Sequence, residues 1–124
     1  FVFNLVTQTL LTSMSQSSVA IPPEESEFAF CGLESVPSYR VSAPRVAQSP
    51  AALECRVVEI RQLQGLDGVP CQSWFTIGEV IGIYLDTAFI TEDGRFDTAK
   101  AAIPTRCGYQ DYMEAGDLFE LTRP

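Results

Sequence analysis

Between Ala51 and Leu85 apolar and polar side chains alternate with a period of two, interrupted by Gln64-Gly65-Leu66-Asp67-Gly68-Val69-Pro70. In the first run Leu53, Cys55 and Val57 alternate with Glu54, Arg56 and Val58. In the second, Ile77, Ile81, Ile83 and Leu85 share one face, with Gly78, Val80, Gly82 and Tyr84 on the other. Two such runs around a Gly- and Pro-containing turn predict a long β-hairpin, with strands over Ala51 to Leu63 and Trp74 to Leu85. Both faces of the second strand are largely apolar, as an interior or interface strand requires. Glycine inside a strand is unfavourable unless a bulge, a bend or a close neighbour needs the space. Gly78 and Gly82 therefore point to a curved, barrel-like sheet.

The flanking pattern is weaker. Phe1-Val2-Phe3-Asn4-Leu5-Val6 reads as a strand already under way, so the sequence is expected to begin inside a domain. Thr7 to Ser18 carries Leu10, Leu11 and Met14 at helical spacing and predicts a short amphipathic helix ending before Pro22-Pro23. Ser26 to Leu33 predicts a second turn of helix, closed by Gly32 in the left-handed conformation. Prolines at 37, 44 and 50 punctuate an extended stretch, with Arg40-Val41 and Arg45-Val46 as brief edge strands. Glu92-Asp93-Gly94-Arg95 is a turn, Thr98 to Ala102 at most a helical turn ended by Pro104, and Asp117 to Leu121 a short alternating strand. There is no internal repeat and no low-complexity linker, so the expected fold is mainly β with short helices, in one domain.

Composition agrees with one compact unit, since 124 residues with 46% hydrophobic content can build a core. Sixteen acidic against eight basic residues give a net charge of -8, which repels phosphate backbones and argues against a nucleic-acid partner. Every apolar run is broken well short of the ~20 residues that cross a bilayer, and no signal-like core stands at the start, so a soluble chain is expected. Four widely spaced cysteines and no histidine argue against a zinc site. Cys55, among apolar strand neighbours, reads as a small buried hydrophobe, and a reducing, cytoplasmic location is the simpler inference.

Several residues are candidates for chemistry. Glu54 and Glu79 lie inside apolar strand patterns, where an unpaired buried carboxylate is costly, so each is expected to face solvent or to meet a base such as Arg56 or Arg61. The run Thr12 to Ser18 reads as a solvated helix end, with a flavin or nicotinamide border as the alternative. Trp74 reads as an interface or core aromatic. No Gly-rich phosphate loop, nucleophile elbow, catalytic histidine or metal-ligand cluster is present in the sequence.

An ordered series of short motifs goes further. Phe3-Asn4-Leu5-Val6, Ser26-Glu27-Phe28, Gly32-Leu33, Pro37-Ser38, Pro44-Arg45-Val46, Ser49-Pro50, Leu53-Glu54-Cys55, Ile77-Gly78-Glu79-Val80, Arg106-Cys107-Gly108-Tyr109, Tyr112 and Leu121-Thr122-Arg123-Pro124 resemble the flavin-reductase-like, FMN-binding split-barrel family. The resemblance implies a Greek-key split β-barrel, incomplete at the N-terminus, of which residues 1–124 form the C-terminal portion. It further implies FMN as cofactor, NAD(P)H as electron donor and hydride transfer from nicotinamide to flavin. The alternatives it leaves open are a non-catalytic FMN-binding electron carrier and an interaction domain that has lost the flavin. A homodimer, and a monooxygenase or other acceptor as partner, are implied in the same way.

For the site, the resemblance singles out Arg106, Tyr109 and Tyr112 as cofactor-binding. A flavin calls for a planar aromatic against its ring and a cationic donor near a carbonyl or phosphate. Cys107 departs from the family, where a small or apolar residue is more usual. The residues that hold the FMN phosphate in the family match no stretch of this sequence and are expected upstream of Phe1.

Overall fold

The computed structural model describes residues 1–123. In chain order these form strand β1 (Val2–Asn4), a 3₁₀ turn (Gln8–Leu10) running into helix α1 (Leu11–Gln16), helix α2 (Glu27–Phe30), and strands β2 (Ser35–Val36), β3 (Arg45–Val46), β4 (Ala51–Gln64) and β5 (Pro70–Leu85). A second 3₁₀ turn (Thr87–Phe89), helix α3 (Thr98–Ala101) and strands β6 (Thr105–Arg106) and β7 (Tyr112–Met113) complete them. All strand pairs are antiparallel: a three-stranded sheet in the order β1-β4-β5, and two-stranded ribbons β2-β3 and β6-β7.

The short helices follow from their sequences. In α1 the Ser-rich end competes with the helix: the hydroxyls of Ser17 and Ser18 donate back to the carbonyls of Met14 and Ser15. After α2, Gly32 adopts φ +65°, Leu33 N–H bonds the Phe28 carbonyl at 2.9 Å and Gly32 N–H bonds that of Ala29 at 3.3 Å. This pair of bonds is a Schellman closure, as the glycine predicts. The side chain of Asp97 caps α3 by accepting from Lys100 N–H at 2.9 Å.

The hairpin β4-β5 dominates the molecule. Its register slips between Glu54 and Cys55, between Val57 and Glu59, and between Gln62 and Gln64. Both glycines sit beside these irregularities because something fills the space a side chain would take. A Cβ on Gly78 would lie 2.6 Å from the Phe1 ring and 3.2 Å from Cys55 Cβ; on Gly82 it would lie 2.9 Å from Arg40 Cγ.

Three predicted elements are corrected. β5 starts at Pro70, ahead of Trp74, because proline can occupy the first position of an edge strand and its carbonyl side still pairs with Gln64. Arg40-Val41 is not a strand: the Arg40 N–H is taken by the Glu54 carboxylate, and Ser35–Val36 pairs with Arg45–Val46 instead. Asp117 to Leu121 is irregular, since no strand lies beside it and its apolar side chains are exposed.

The core is small: Cys31, Ala52, Cys55 and Ala101 are its buried apolar side chains, and the largest fully buried residues are Glu54, Pro50 and Ser49. The buried state of Cys55 agrees with its reading from sequence. The accessible surface is 9631 Å², against about 6,600 Å² expected for a compact monomer of this mass. Exposed apolar side chains are frequent on β4 and β5. Beyond Cys55 the hairpin projects as an arm with Val58, Ile60, Trp74 and Phe75 exposed, and at its base Phe3 and Ile83 are exposed on one face of the sheet. The sheets of the described residues do not close on themselves.

Candidate functional site

The structure brings the three predicted site residues together. β6 and β7 pair Arg106 with Tyr112 directly, and Cys107 N–H bonds the Asp111 carbonyl at 2.9 Å to close the intervening turn. Tyr109 sits at the tip with φ +58°, the left-handed region, and its side chain is 95% exposed. Arg106 organises this turn: Nη1 donates to the Tyr112 hydroxyl at 2.7 Å, Nη2 donates to the Tyr109 carbonyl at 3.0 Å, and the guanidinium lies 5.3 Å from the centre of the Tyr112 ring. Cys107 is accommodated, its thiol exposed. Two of the donors of Arg106 are thus committed to the protein, while the Tyr109 ring is free.

A second feature was not singled out from the sequence. A cavity of about 230 Å³ opens between β1 and α1, with Leu33 and Val46 completing its wall. Its lining is mainly apolar, with Phe3, Leu10 and Met14 prominent and Asn4 and Ser17 as the polar side chains. The Asn4 amide is already engaged: Oδ1 accepts from Val46 N–H at 2.9 Å. Ser17 belongs to the run read as a solvated helix end, and its hydroxyl serves the Met14 carbonyl. Thr12, Ser15, Gln16 and Ser18 are exposed, as that reading expects. The helical spacing of Leu10 and Met14 was the available signal for this wall; its position against Val46 depends on a fold-back no local pattern records.

A larger, open cleft of about 510 Å³ lies between the Thr91 to Thr98 loop and Leu118 to Glu120. Asp93, Asp97 and Glu120 line it with one base, Arg95, which pairs with Glu120 at 3.4 Å. That acidic balance suits no phosphate-bearing ligand.

Glu54 departs from its predicted surroundings. It is 1% exposed and meets neither Arg56 nor Arg61; its two oxygens accept from the backbone N–H groups of Tyr39, at 2.9 Å, and Arg40. The Tyr39 N–H bond is the main cause holding the carboxyl below its ordinary range, with the Arg40 and Val41 amides and the Arg40 charge acting the same way against desolvation. Glu79 behaves as predicted, exposed and opposite Arg56 on β4. Trp74 is 61% exposed, so it is not a core aromatic of the described residues.

A flavin needs an apolar wall for its ring and donors for its phosphate. The described residues fit the first need, through the cavity beside β1 and the exposed Tyr109 ring. Among the described residues no cradle of backbone amides and bases stands open for the second.

Comparison with known structures places the fold and the family. Nitrilotriacetate monooxygenase component B from Bacillus cereus superimposes with a TM-score of 0.84 at 22% identity, over 97% of this chain and 58% of that one. A Shewanella frigidimarina protein, described as a flavin reductase with a split barrel domain, gives 0.81 at 25% identity over 99% of this chain and 60% of that one. The fold is that of the split-barrel class. The chain belongs to the flavin reductase like domain family, whose model matches residues 1–100. An uncharacterised protein of Halalkalibacterium halodurans is 36% identical over the whole chain, which spans 58% of that relative's length.

Proposed function

We propose that residues 1–124 are the C-terminal portion of a flavin-reductase-like domain, and that the full-length protein is an FMN-dependent oxidoreductase using NAD(P)H. The observation that carries this reading is the family match over residues 1–100, supported by a fold shared with flavin reductases along nearly the whole chain. Bound FMN would supply the redox chemistry, accepting a hydride from the reduced nicotinamide and passing two electrons to an acceptor. The chain's own part is to shape the site. The apolar side chains beside β1 exclude water from one side of the flavin ring, Tyr109 offers an aromatic face, and Arg106 offers its remaining donors to a carbonyl or phosphate oxygen. No side chain here need act as acid, base or nucleophile, in keeping with the absence of such motifs from the sequence.

The partner of this reading is a second copy of the chain. The arm beyond Cys55 exposes Val58, Ile60, Trp74 and Phe75, apolar surface of the kind that a stable interface of ~800 Å² per partner covers. Between Cys55 and Val80 the charges are Arg56, Arg61, Glu59, Asp67 and Glu79, nearly balanced, so self-repulsion of this acidic protein is least there. A monooxygenase component as electron acceptor is supported by the likeness to component B of the nitrilotriacetate enzyme. Four unpaired thiols support a reducing, cytoplasmic setting.

The test is to mix the full-length protein with FMN and follow NADH and NADPH oxidation. Flavin-dependent oxidation of either is expected; stable flavin binding with neither oxidised would favour an electron carrier.

A further inference from the structure

We infer that Glu54 is a built-in anion: its carboxylate occupies a nest of successive backbone N–H groups at Tyr39 and Arg40, and this contact, more than packing, holds the Pro37 to Pro44 loop on the hairpin. The inference is independent of flavin binding.

The geometry begins on β4. Glu54 faces Gly82 across the ladder, and the missing side chain there leaves room both for the carboxyl group and for the stem of Arg40. From that position Oε1 and Oε2 receive two consecutive amides, Tyr39 and Arg40. Consecutive N–H groups converging on one point form the kind of concavity that binds free anions in other proteins. Here the anion is a side chain fifteen residues further along the chain.

Packing holds the loop weakly. Tyr39 is 79% exposed, Pro37, Arg40, Ser42 and Pro44 are also exposed, and no residue of the loop is fully buried. Its internal closure is a single bond from the Ser38 hydroxyl to the Ala43 carbonyl at 2.6 Å. Nor does Glu54 serve a side-chain base. Among the described residues it makes no ion pair, although Arg45 lies nearby in sequence with Nε and Nη1 enclosed and lacking an acceptor. Arg45 stacks on Tyr84 instead, 3.6 Å from the ring centre, and marks where the strapped segment rejoins the sheet. A fully buried carboxylate would be strongly unfavourable without such partners, so carboxylate and nest each depend on the other.

The experiment removes the anion and then returns it. In Glu54→Ala, amide hydrogen exchange at Tyr39 and Arg40 should quicken by about tenfold or more, the change expected for losing a hydrogen bond to a charged group. Acetate, which matches the deleted atoms, should slow exchange again at these amides. Acetamide and chloride at matched ionic strength should not. Glu54→Gln keeps the volume but turns an NH₂ group toward a backbone N–H, so it should also exchange faster and should not respond to acetate. Wild-type exchange in Glu54→Gln, or recovery of Glu54→Ala by acetamide or chloride as fully as by acetate, or no recovery by acetate, overturns the inference. Should Glu54→Ala fail to fold, the Gln comparison decides alone.

Discussion

Glu54 is the residue whose environment departs furthest from what its neighbours in sequence suggest. Its folded pKa lies below the ordinary 4.5, first through the Tyr39 amide. A carboxyl depressed in the folded state contributes stability that is fully present above its unfolded pKa and is lost as pH falls through the folded value. Asp93, held low chiefly by the Thr91 hydroxyl, acts in the same acid range, so the informative quantity is a difference between proteins. As pH drops below 4.5, wild type should lose stability more steeply than Glu54→Gln, measured by denaturant unfolding across pH. Parallel slopes would contradict the assignment.

Arg106 carries the second prediction at this scale. With one donor on the Tyr112 hydroxyl and another on the Tyr109 carbonyl, it maintains the turn whatever else it does. In the full-length protein Arg106→Ala should weaken FMN binding by about tenfold, the equivalent of one charge-assisted hydrogen bond. Tyr112→Phe, which removes only the hydroxyl, should change it less. An unaltered Kd in Arg106→Ala would leave Arg106 as a structural tie alone. The spacing of Arg106, Tyr109 and Tyr112 was readable from the sequence, and so was their proximity. The use of the arginine's donors within the turn was not, because it depends on the left-handed backbone at Tyr109.

Among the elements, the hairpin was legible apart from the start of its second strand, because a period-two pattern around a Gly/Pro turn has few other solutions. Its glycines were legible too, as places where something must approach. What approaches was hidden: the Phe1 ring and the Arg40 stem come from segments far away in the chain. Gly82→Ala should therefore cost roughly 1–3 kcal/mol by overpacking against Arg40 and Glu54. Gly108→Ala, with open space around it, should stay within about 0.5 kcal/mol. Urea unfolding of both variants checks the contrast. The mistaken strands at Arg40-Val41 and Asp117 to Leu121 share one cause. Alternation licenses a strand, but a ladder needs a partner, and the first segment gives an amide to Glu54 while the second has no strand beside it.

For the molecule as a whole, an accessible surface of 9631 Å² goes with an arm that leaves large apolar side chains exposed. Expressed as the 124-residue chain, the protein should self-associate, and Trp74→Lys with Ile60→Lys should shift it toward the monomer on size-exclusion chromatography. An unchanged elution volume would place association elsewhere, for instance on the face bearing Phe3 and Ile83. The split-barrel fold was legible here only because many weak motifs stand in order along the chain. Flavin chemistry was less so, since no phosphate cradle stands open among the described residues.

The central claim, that this is part of an FMN-dependent oxidoreductase, is tested most directly by titrating FMN into the full-length protein and then adding NADH or NADPH. The account predicts a perturbed flavin spectrum at micromolar protein and nicotinamide oxidation that requires the flavin. A folded protein that leaves the flavin spectrum unchanged and oxidises neither nicotinamide would contradict it.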